Sequence, residues 1–87
     1  MKEIIIMNPR DNVGICLRDF SSEEKLDFQL DRKNWCVVFA EAVPMGHKVA
    51  LTDIQKGDPI VKYGEKIGSA TIAITAGQHV HVHNVTD

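Results

Sequence analysis

The residues best suited to chemistry stand near the end of the chain, in the run GQHVHVHNV at residues 77–85. Three of the four histidines in the chain fall within five residues of this run. Imidazole is the commonest metal ligand in proteins and the usual proton-transfer group near neutral pH. A small protein that concentrates histidines in this way is expected to present them to a metal, a substrate or a partner.

The alternation of histidine and valine predicts a strand over residues 79–85, with His79, His81 and His83 on one face. Neighbouring histidines on such a strand are about 6.5–7 Å apart, and the outer two about 13 Å. Two imidazoles at that spacing can converge on one metal, whereas three cannot easily do so from a straight strand. We therefore predict that His79 and His81 bind metal with ligands from elsewhere, while His83 has another role. The alternative without a functional role is a ladder of histidines that lies over the sheet.

Three further residues are candidates for a site. His47 follows the turn at residues 44–46. It is a candidate site residue only if the fold brings it near the three C-terminal histidines; otherwise it is an ordinary solvent-exposed residue at the start of a strand. Lys48 offers a point charge for a carboxylate, and its alternative is an ordinary surface lysine. Tyr63 begins a tight turn at residues 63–66 that is a candidate contact for a ligand or partner.

Composition limits the classes of function. The 87 residues suit one domain spanning the whole chain, and the net charge of −2 without a basic stripe argues against nucleic acid. The longest apolar runs are too short to cross a bilayer, and the first residues lack the order of a signal peptide, so we expect a cytoplasmic protein. Cys16 and Cys36 lie in apolar runs and are predicted to be buried, reduced thiols rather than a disulfide.

The rest of the sequence reads as short strands separated by turns. No stretch has the length and period of a surface helix, which predicts a compact all-β protein. The predicted strands are residues 3–7, 14–18, 26–30, 35–41, 47–51, 59–61, 68–72 and 79–85.

A weak internal repeat supports this interpretation. Residues 50–60 return as residues 70–80, each with a small residue, an isoleucine four later, a glycine seven later and an aliphatic residue ten later. Cys16 to Phe20 repeats the first half of the pattern. Too few copies are present for a solenoid, so the repeat predicts long bent hairpins with pseudo-symmetry.

Four strings, taken together, resemble one known family. They are NPxDNVxxxLRD at residues 8–19, GHKVAL at 46–51, KGDPIVKYGEKIG at 56–68 and AGQHVHVHN at 76–84. The chain resembles the SAF domain of altronate and galactarate dehydratases, and also the small subunit of sulfolactate sulfo-lyase. The resemblance covers nearly the whole chain, in order and with compatible spacing.

The resemblance implies a β-clip fold and a metal-assisted lyase reaction on a sugar acid or related hydroxy acid. In that reaction a proton leaves the carbon next to a carboxylate, and hydroxide or sulfite leaves the adjacent carbon, with Fe(II) or Mn(II) as the expected metal. His47, Lys48 and His83 would then be catalytic, with the histidines handling protons, and Lys48 and Tyr63 would bind substrate. The large catalytic domain of the fused dehydratases is absent from these 87 residues, so we expect a small subunit, inactive alone, that shares its site and metal with a large catalytic subunit.

Two other hypotheses remain open. The chain could be a non-catalytic module that binds a sugar acid or a protein through its β-clip surface. It could also be a self-contained metal enzyme, which would need an acidic ligand that the sequence does not offer beside the triplet. A homo-oligomer, with Trp35 and Phe39 lining the contact, is a further expectation.

Overall fold

A computed structural model describes residues 3–87, which form nine short strands and no helix. The strands are β1 (Ile4–Ile5), β2 (Val13–Cys16), β3 (Lys25–Leu30), β4 (Lys33–Val38), β5 (Lys48–Ala50), β6 (Pro59–Lys62), β7 (Glu65–Ala70), β8 (His79–Val80) and β9 (Val85–Thr86). They form three antiparallel sheets, in the orders β1-β2-β5-β8, β3-β4 and β6-β7-β9. The predicted all-β class is confirmed. Within residues 3–87, nothing has the length and apolar character of a membrane-spanning helix.

One backbone motif of eleven residues occurs four times in the described chain, at residues 16–26, 39–49, 50–60 and 70–80. We refer to these segments as copies 1 to 4. In each copy two bends follow the first residue, the fifth residue forms an isolated bridge, a two-residue turn follows, and the last two residues enter a strand. The predicted repeat between copies 3 and 4 is confirmed. Copy 2 was not recognised in the sequence because it begins with Phe39 instead of a small residue.

The copies associate in pairs, copy 1 with copy 2 and copy 3 with copy 4. At the fifth position, Phe20 and Val43 exchange two backbone hydrogen bonds of 2.9 and 3.0 Å, and Ile54 and Ile74 exchange two of 2.7 Å. The eighth residue of every copy also donates its N–H to the first carbonyl of the partner copy. These bonds join Glu23 to Phe39, Gly46 to Cys16, Gly57 to Ala70 and Gly77 to Ala50, at 2.6 to 2.8 Å. Each pair therefore has a local pseudo-two-fold relation, as the repeat predicted.

The core consists of two clusters, one for each pair of copies. The first, fifth and eleventh residues of every copy are buried. Those of copies 1 and 2 are Cys16, Phe20, Leu26, Phe39, Val43 and Val49, and those of copies 3 and 4 are Ala50, Ile54, Ile60, Ala70, Ile74 and Val80. Phe20 and Phe39 stack with ring centroids 4.2 Å apart. Phe39 is thus a core residue, and its expected place in an oligomer contact is wrong. Trp35 is half-buried and stacks on Phe28 instead.

A hairpin lies between the two copies of each pair. Strands β3 and β4 turn at Asp31-Arg32, and β6 and β7 turn at Tyr63-Gly64. All four turn residues have positive φ, from 53° to 76°, which is the geometry of a type I′ turn. The tight turn predicted at Tyr63 is confirmed.

The cysteines are both free thiols, as predicted. Cys16 is fully buried, and burial raises the pKa of its thiol to about 11. Cys36 is exposed on β4, so its predicted burial is wrong. Because β3 and β4 form a sheet of only two strands, alternate side chains along this hairpin face solvent in spite of the apolar sequence around them.

Candidate functional site: a cluster of four histidines

The strand predicted over residues 79–85 is interrupted by a turn. Only His79–Val80 and Val85–Thr86 are strands, and residues 82–84 form the turn between them. The shared strand face expected for His79, His81 and His83 is therefore wrong. The turn removes the obstacle to convergence, because three histidines on a bent segment can approach one another more closely than on a straight strand.

Asn84 holds this turn together. Its side-chain oxygen accepts a hydrogen bond from the His81 N–H at 2.9 Å, and its side-chain nitrogen donates to the His79 carbonyl at 2.9 Å. Its own N–H donates to the His81 carbonyl at 3.1 Å, and only 3% of the residue is exposed. Sequence reasoning missed this role because the regular alternation on either side of Asn84 concealed the turn signal.

His47 joins the three C-terminal histidines, and together they form what we call the histidine cluster. The ring centroid of His47 lies 4.3 Å from that of His81 and 5.0 Å from that of His79, and Nδ1 of His47 is 2.8 Å from Nε2 of His79. His83 lies beside His79, with ring centroids 5.2 Å apart. Proximity to the triplet was the condition for giving His47 a functional role, and the fold meets it.

The antiparallel pairing of β5 with β8 produces this approach. Lys48 lies opposite Val80 and Val49 opposite His79, so His47 directly precedes a strand whose neighbour carries His79. The backbone N–H of His79 donates to the carboxylate of Glu41 at 3.1 Å. Glu41 is the acidic residue beside the triplet that sequence reasoning did not find, because its distance from the histidines along the chain gave no signal.

The internal repeat explains why His47 is available. In copies 1, 3 and 4 the side chain of the ninth residue accepts a hydrogen bond from the backbone N–H of the sixth residue and so caps the turn. The donor and acceptor pairs are Ser21 with Glu24, Gln55 with Asp58 and Thr75 with Gln78, at 3.0, 3.4 and 2.8 Å. In copy 2 these positions are Pro44 and His47. Proline has no N–H to cap, so the ninth side chain of this copy is free to face the other histidines.

The surroundings of His79 and His81 favour neutral imidazole. Partial burial and the other histidines lower the pKa of His79, against a small opposing effect of Glu41. Partial burial, His47 and Lys48 lower the pKa of His81. A lowered pKa leaves the ring uncharged at neutral pH, and an uncharged ring keeps a nitrogen lone pair for a metal or a proton.

The donor set fits a divalent transition metal. Nitrogen atoms of His47, His79 and His81 all lie within 4.8 Å of one another. Imidazole is a suitable ligand for iron, zinc, copper and nickel, whereas manganese favours oxygen ligands. A metal held there would replace the proton that His47 Nδ1 and His79 Nε2 share in their hydrogen bond. Both predicted metal ligands, His79 and His81, belong to this group, and His47 is its third member.

Lys48 and Tyr63 occupy different surroundings. Lys48 is half-buried, and burial followed by the charge of Lys62 lowers the pKa of its ammonium group. A cavity of about 210 Å³ lies beside it, lined by Lys48, Ile67, His81, Val82, Val85 and Asp87. Tyr63 is 49% exposed on the β6–β7 turn, where its ring lies 5.1 Å from the ammonium of Lys62, and it is not part of that lining.

Comparison with known proteins agrees with this architecture. Residues 2–87 match the family described as the altronate/galactarate dehydratase SAF domain. The chain is 39% identical over 84 residues to altronate dehydratase of Bacillus subtilis (strain 168) and 43% identical over 82 residues to that of Escherichia coli (strain K12). These matches cover 97% and 94% of this chain but 16% of each relative. It is also 44% identical over 45 residues to (2R)-sulfolactate sulfo-lyase subunit alpha of Chromohalobacter salexigens, which is 52% of this chain and 48% of that subunit.

An all-β protein with a histidine cluster at one edge of its main sheet is thus a domain related to dehydratases and lyases. The chain belongs to the altronate/galactarate dehydratase SAF domain family. It spans about a sixth of the length of the altronate dehydratases that it matches.

Proposed function

We propose that this chain is the small component of a two-part lyase of the altronate dehydratase type, and that its histidine cluster completes an active site on a large catalytic chain. The observation that carries the proposal is the convergence of four histidines and Lys48 at one surface of a chain from this family. Relatives point in the same direction, since one type is named as subunit alpha of a sulfo-lyase and the other is a dehydratase about six times as long.

In this proposal His47, His79 and His81 would hold Fe(II) or Mn(II), and the all-imidazole set favours iron. A bound metal of this kind supplies a Lewis acid that polarises an oxygen of the substrate. The substrate is a sugar acid or a related hydroxy acid, from which water or sulfite is eliminated. Both eliminations begin with loss of a proton from the carbon next to the carboxylate.

The other residues of the cluster would bind the substrate and move its protons. Lys48 borders the 210 Å³ cavity, and its ammonium group would hold the carboxylate of the substrate. His83 is exposed beside His79, so its ring is free to exchange a proton with a bound substrate. Tyr63 remains a predicted substrate contact, for which its exposed position on the β6–β7 turn is the support.

The experiment that tests the proposal is a pull-down from the source organism with the tagged chain, followed by mass spectrometry. We expect a stoichiometric partner whose sequence matches the part of altronate dehydratase that this chain does not cover. The complex, and neither chain alone, should then eliminate water from altronate or galactarate, or sulfite from sulfolactate. Rapid turnover by this chain alone, or recovery without such a partner, would contradict the proposal.

The principal alternative is a module that only binds, and kinetic measurements on the complex distinguish it from a catalytic subunit. Replacement of His79 and His81 by alanine should abolish turnover if the cluster is catalytic. A near-normal maximal rate with a raised KM would instead favour a module that only binds substrate or partner. Asn34→Ala on the exposed end of the β3–β4 hairpin is the matched control and should leave both parameters unchanged.

The self-contained metal site gains support from one observation, the approach of the Glu41 carboxylate to the backbone of His79. Three imidazoles and one carboxylate would form a complete ligand set only if Glu41 left this backbone N–H, because its carboxylate is not among the converging groups. Titration of the isolated chain with Co(II), followed by its visible spectrum, tests this alternative. Tight binding that Glu41→Gln weakens would favour a metal protein that functions alone.

A further inference from the structure

We propose that two copies of this chain associate through the outer edge of β3. The two β3–β4 hairpins would then form one antiparallel sheet of four strands. No residue of the histidine cluster belongs to β3 or β4, and none lines the cavity beside β3. The inference is therefore independent of the proposed function, and either can fail without the other.

The hydrogen bonds of the β3–β4 hairpin alternate along β3. Leu30 and Lys33 flank the two-residue turn, and such a pair exchanges both of its backbone hydrogen bonds. At the base of the hairpin the Phe39 N–H donates to the Glu24 carbonyl at 2.8 Å, in step with the same alternation. The even-numbered residues of β3 thus bond to β4, whereas the odd-numbered residues direct their N–H and carbonyl groups to the outer edge.

That outer edge is open in the part of the chain that the structure describes. β3 pairs with β4 alone, and the backbone groups of Lys25, Asp27 and Gln29 make no further backbone hydrogen bond within residues 3–87. A cavity of about 300 Å³ borders the edge and leaves Phe28 half-buried. Its lining consists of Glu3, Ile4, Ile6 and residues 26–30. A strand paired with β3 would cover open backbone groups and apolar side chains together.

Two other edge strands of the protein are closed by side chains. On β6 the Asn12 side chain accepts from the Val61 N–H at 2.8 Å and donates to the Pro59 carbonyl at 2.9 Å. On β8 the Glu41 carboxylate accepts from the His79 N–H at 3.1 Å. An open strand edge is a template for a further strand. The edge of β3, left open where these two are closed, therefore points to a strand from another chain.

The sequence of β3 is complementary to itself in antiparallel orientation. When Phe28 lies opposite Phe28 of a second copy, the facing side chains are apolar on the core side of the hairpin and polar or of opposite charge on the solvent side. The pairs are Leu26 with Leu30, Asp27 with Gln29 and Lys25 with Asp31 of the second copy. The two-fold axis repeats each pair, and cross-strand pairs of these kinds stabilise a sheet.

Charge selects both the register and the edge. A shift of the pairing by two residues would place Asp27 opposite Asp27, and like charges directly opposite each other are destabilising. The outer edge of β4 is the competing surface, but Lys33 is the only charged residue of Lys33–Val38 and has no acidic residue of a second β4 to face. Since β3 itself supplies the sequence that fits its edge, a second copy is the partner that the surface favours.

The oligomeric state of the full 87-residue chain tests the inference, with two opposite substitutions at one exposed position. Sedimentation equilibrium should show a dimer. Gln29→Lys should lower its dissociation constant about fivefold, because it places an ammonium group opposite Asp27 at two symmetric positions, and Gln29→Glu should raise it about fivefold. Asn34→Lys and Asn34→Glu, opposite Gln29 within the hairpin, are the matched controls and should each change it less than about twofold. A chain that stays monomeric, or equal dissociation constants for the two Gln29 variants, would overturn the inference.

A disulfide test checks the register directly. Asp27→Cys and Gln29→Cys are prepared separately, each with Cys36→Ser, and Cys16 is fully buried and does not interfere. Facing residues of a hydrogen-bonded pair have Cα atoms about 5.5 Å apart, which suits a disulfide. We expect mild oxidation to link the mixture of the two variants faster than either variant alone. Linkage no faster in the mixture, or fastest within the Asp27→Cys variant, would contradict the proposed pairing.

Discussion

The turns of copy 2 and copy 4 have the same backbone conformation but differ in what the ninth residue contacts. In copy 4 the Gln78 side chain caps the Thr75 N–H at 2.8 Å. In copy 2 the sixth residue is Pro44, so the His47 side chain has no N–H to cap and packs against His79 and His81. The comparison teaches that one substitution to proline can release a position in a repeated scaffold from a structural task.

The wider comparison is between the two pairs of copies. Each pair has the same backbone hydrogen bonds and the same buried positions, but the pairs differ in side-chain volume. Copies 1 and 2 use Phe20 and Phe39 where copies 3 and 4 use isoleucine and alanine. Substitutions that give one pair the side chains of the other therefore test how far the stability of the fold depends on the repeated backbone hydrogen bonds and how far on side-chain packing.

The largest effect is expected from Phe39→Ala, which gives copy 2 the first residue of copies 3 and 4. The free energy of unfolding should fall by about 3–5 kcal/mol, because the cluster around Phe20 is packed for an aromatic ring and cannot close the space. Urea denaturation of this variant and of the wild type measures the difference. Val38→Ala, at the neighbouring exposed position, is the control and should cost far less. A loss below about 1 kcal/mol would mean that the repeat tolerates either volume.

Two glycines at the eighth position sharpen the comparison of the turns. Gly57 and Gly77 have φ of 90° and 93°, a region where a side chain costs about 1–2 kcal/mol. A Cβ on Gly57 would meet no atom within 4 Å, whereas one on Gly77 would lie 2.0 Å from the Val38 carbonyl oxygen. Gly77→Ala should therefore destabilise by about 1–3 kcal/mol more than Gly57→Ala.

Thermal and urea unfolding of the two alanine variants, run side by side, measure that difference. Equal losses would show that the strained φ alone determines the cost at both turns. The approach of copy 4 to the end of β4 would then be looser than the structure indicates.

Much of the scaffold could be predicted because its signals are local. Turns at Pro44, Gly57 and Gly77 follow from residue types that favour or require turn conformations, and the alternating apolar residues between them predict strands. The strand prediction for the segment after His79 was wrong because it also relied on local signals. Its turn contains neither glycine nor proline, and a side chain of Asn84 buried in the fold stabilises it, so the local pattern still indicated a strand.

The candidate site could be predicted only in part. The triplet of histidines is visible in the sequence, whereas His47 reaches it through the pairing of β5 with β8 across 32 residues. Glu41 meets His79 by the same long-range packing. Neither contact has a periodic signal, because each depends on which strands become neighbours and in which register.

A middle-sized effect is expected at the turn that gathers the histidines. Asn84→Ala removes both side-chain hydrogen bonds and leaves a partly buried N–H and a partly buried carbonyl without these partners, which should cost about 1–2 kcal/mol of unfolding free energy. The variant should also lose the short contact between His47 and His79, visible as a change in their ring resonances by NMR. Asn34→Ala on the exposed hairpin is the control. Loss of stability with unchanged histidine resonances would mean that β5 and β8 position the cluster without the turn.

The smallest effects come from the ninth residues themselves, and they test the comparison most directly. Gln78→Ala leaves the Thr75 N–H without its acceptor, and because water can replace it there, the loss should be about 0.5–1 kcal/mol. His47→Ala should leave the unfolding free energy nearly unchanged, since Pro44 offers nothing to cap, while it removes one imidazole from the cluster and weakens Co(II) binding. Urea unfolding and a Co(II) titration of both variants measure the two effects. If His47→Ala destabilises as strongly as Gln78→Ala, then His47 supports the fold through its ring contacts, and a role in binding could not be separated from that support by removing the side chain.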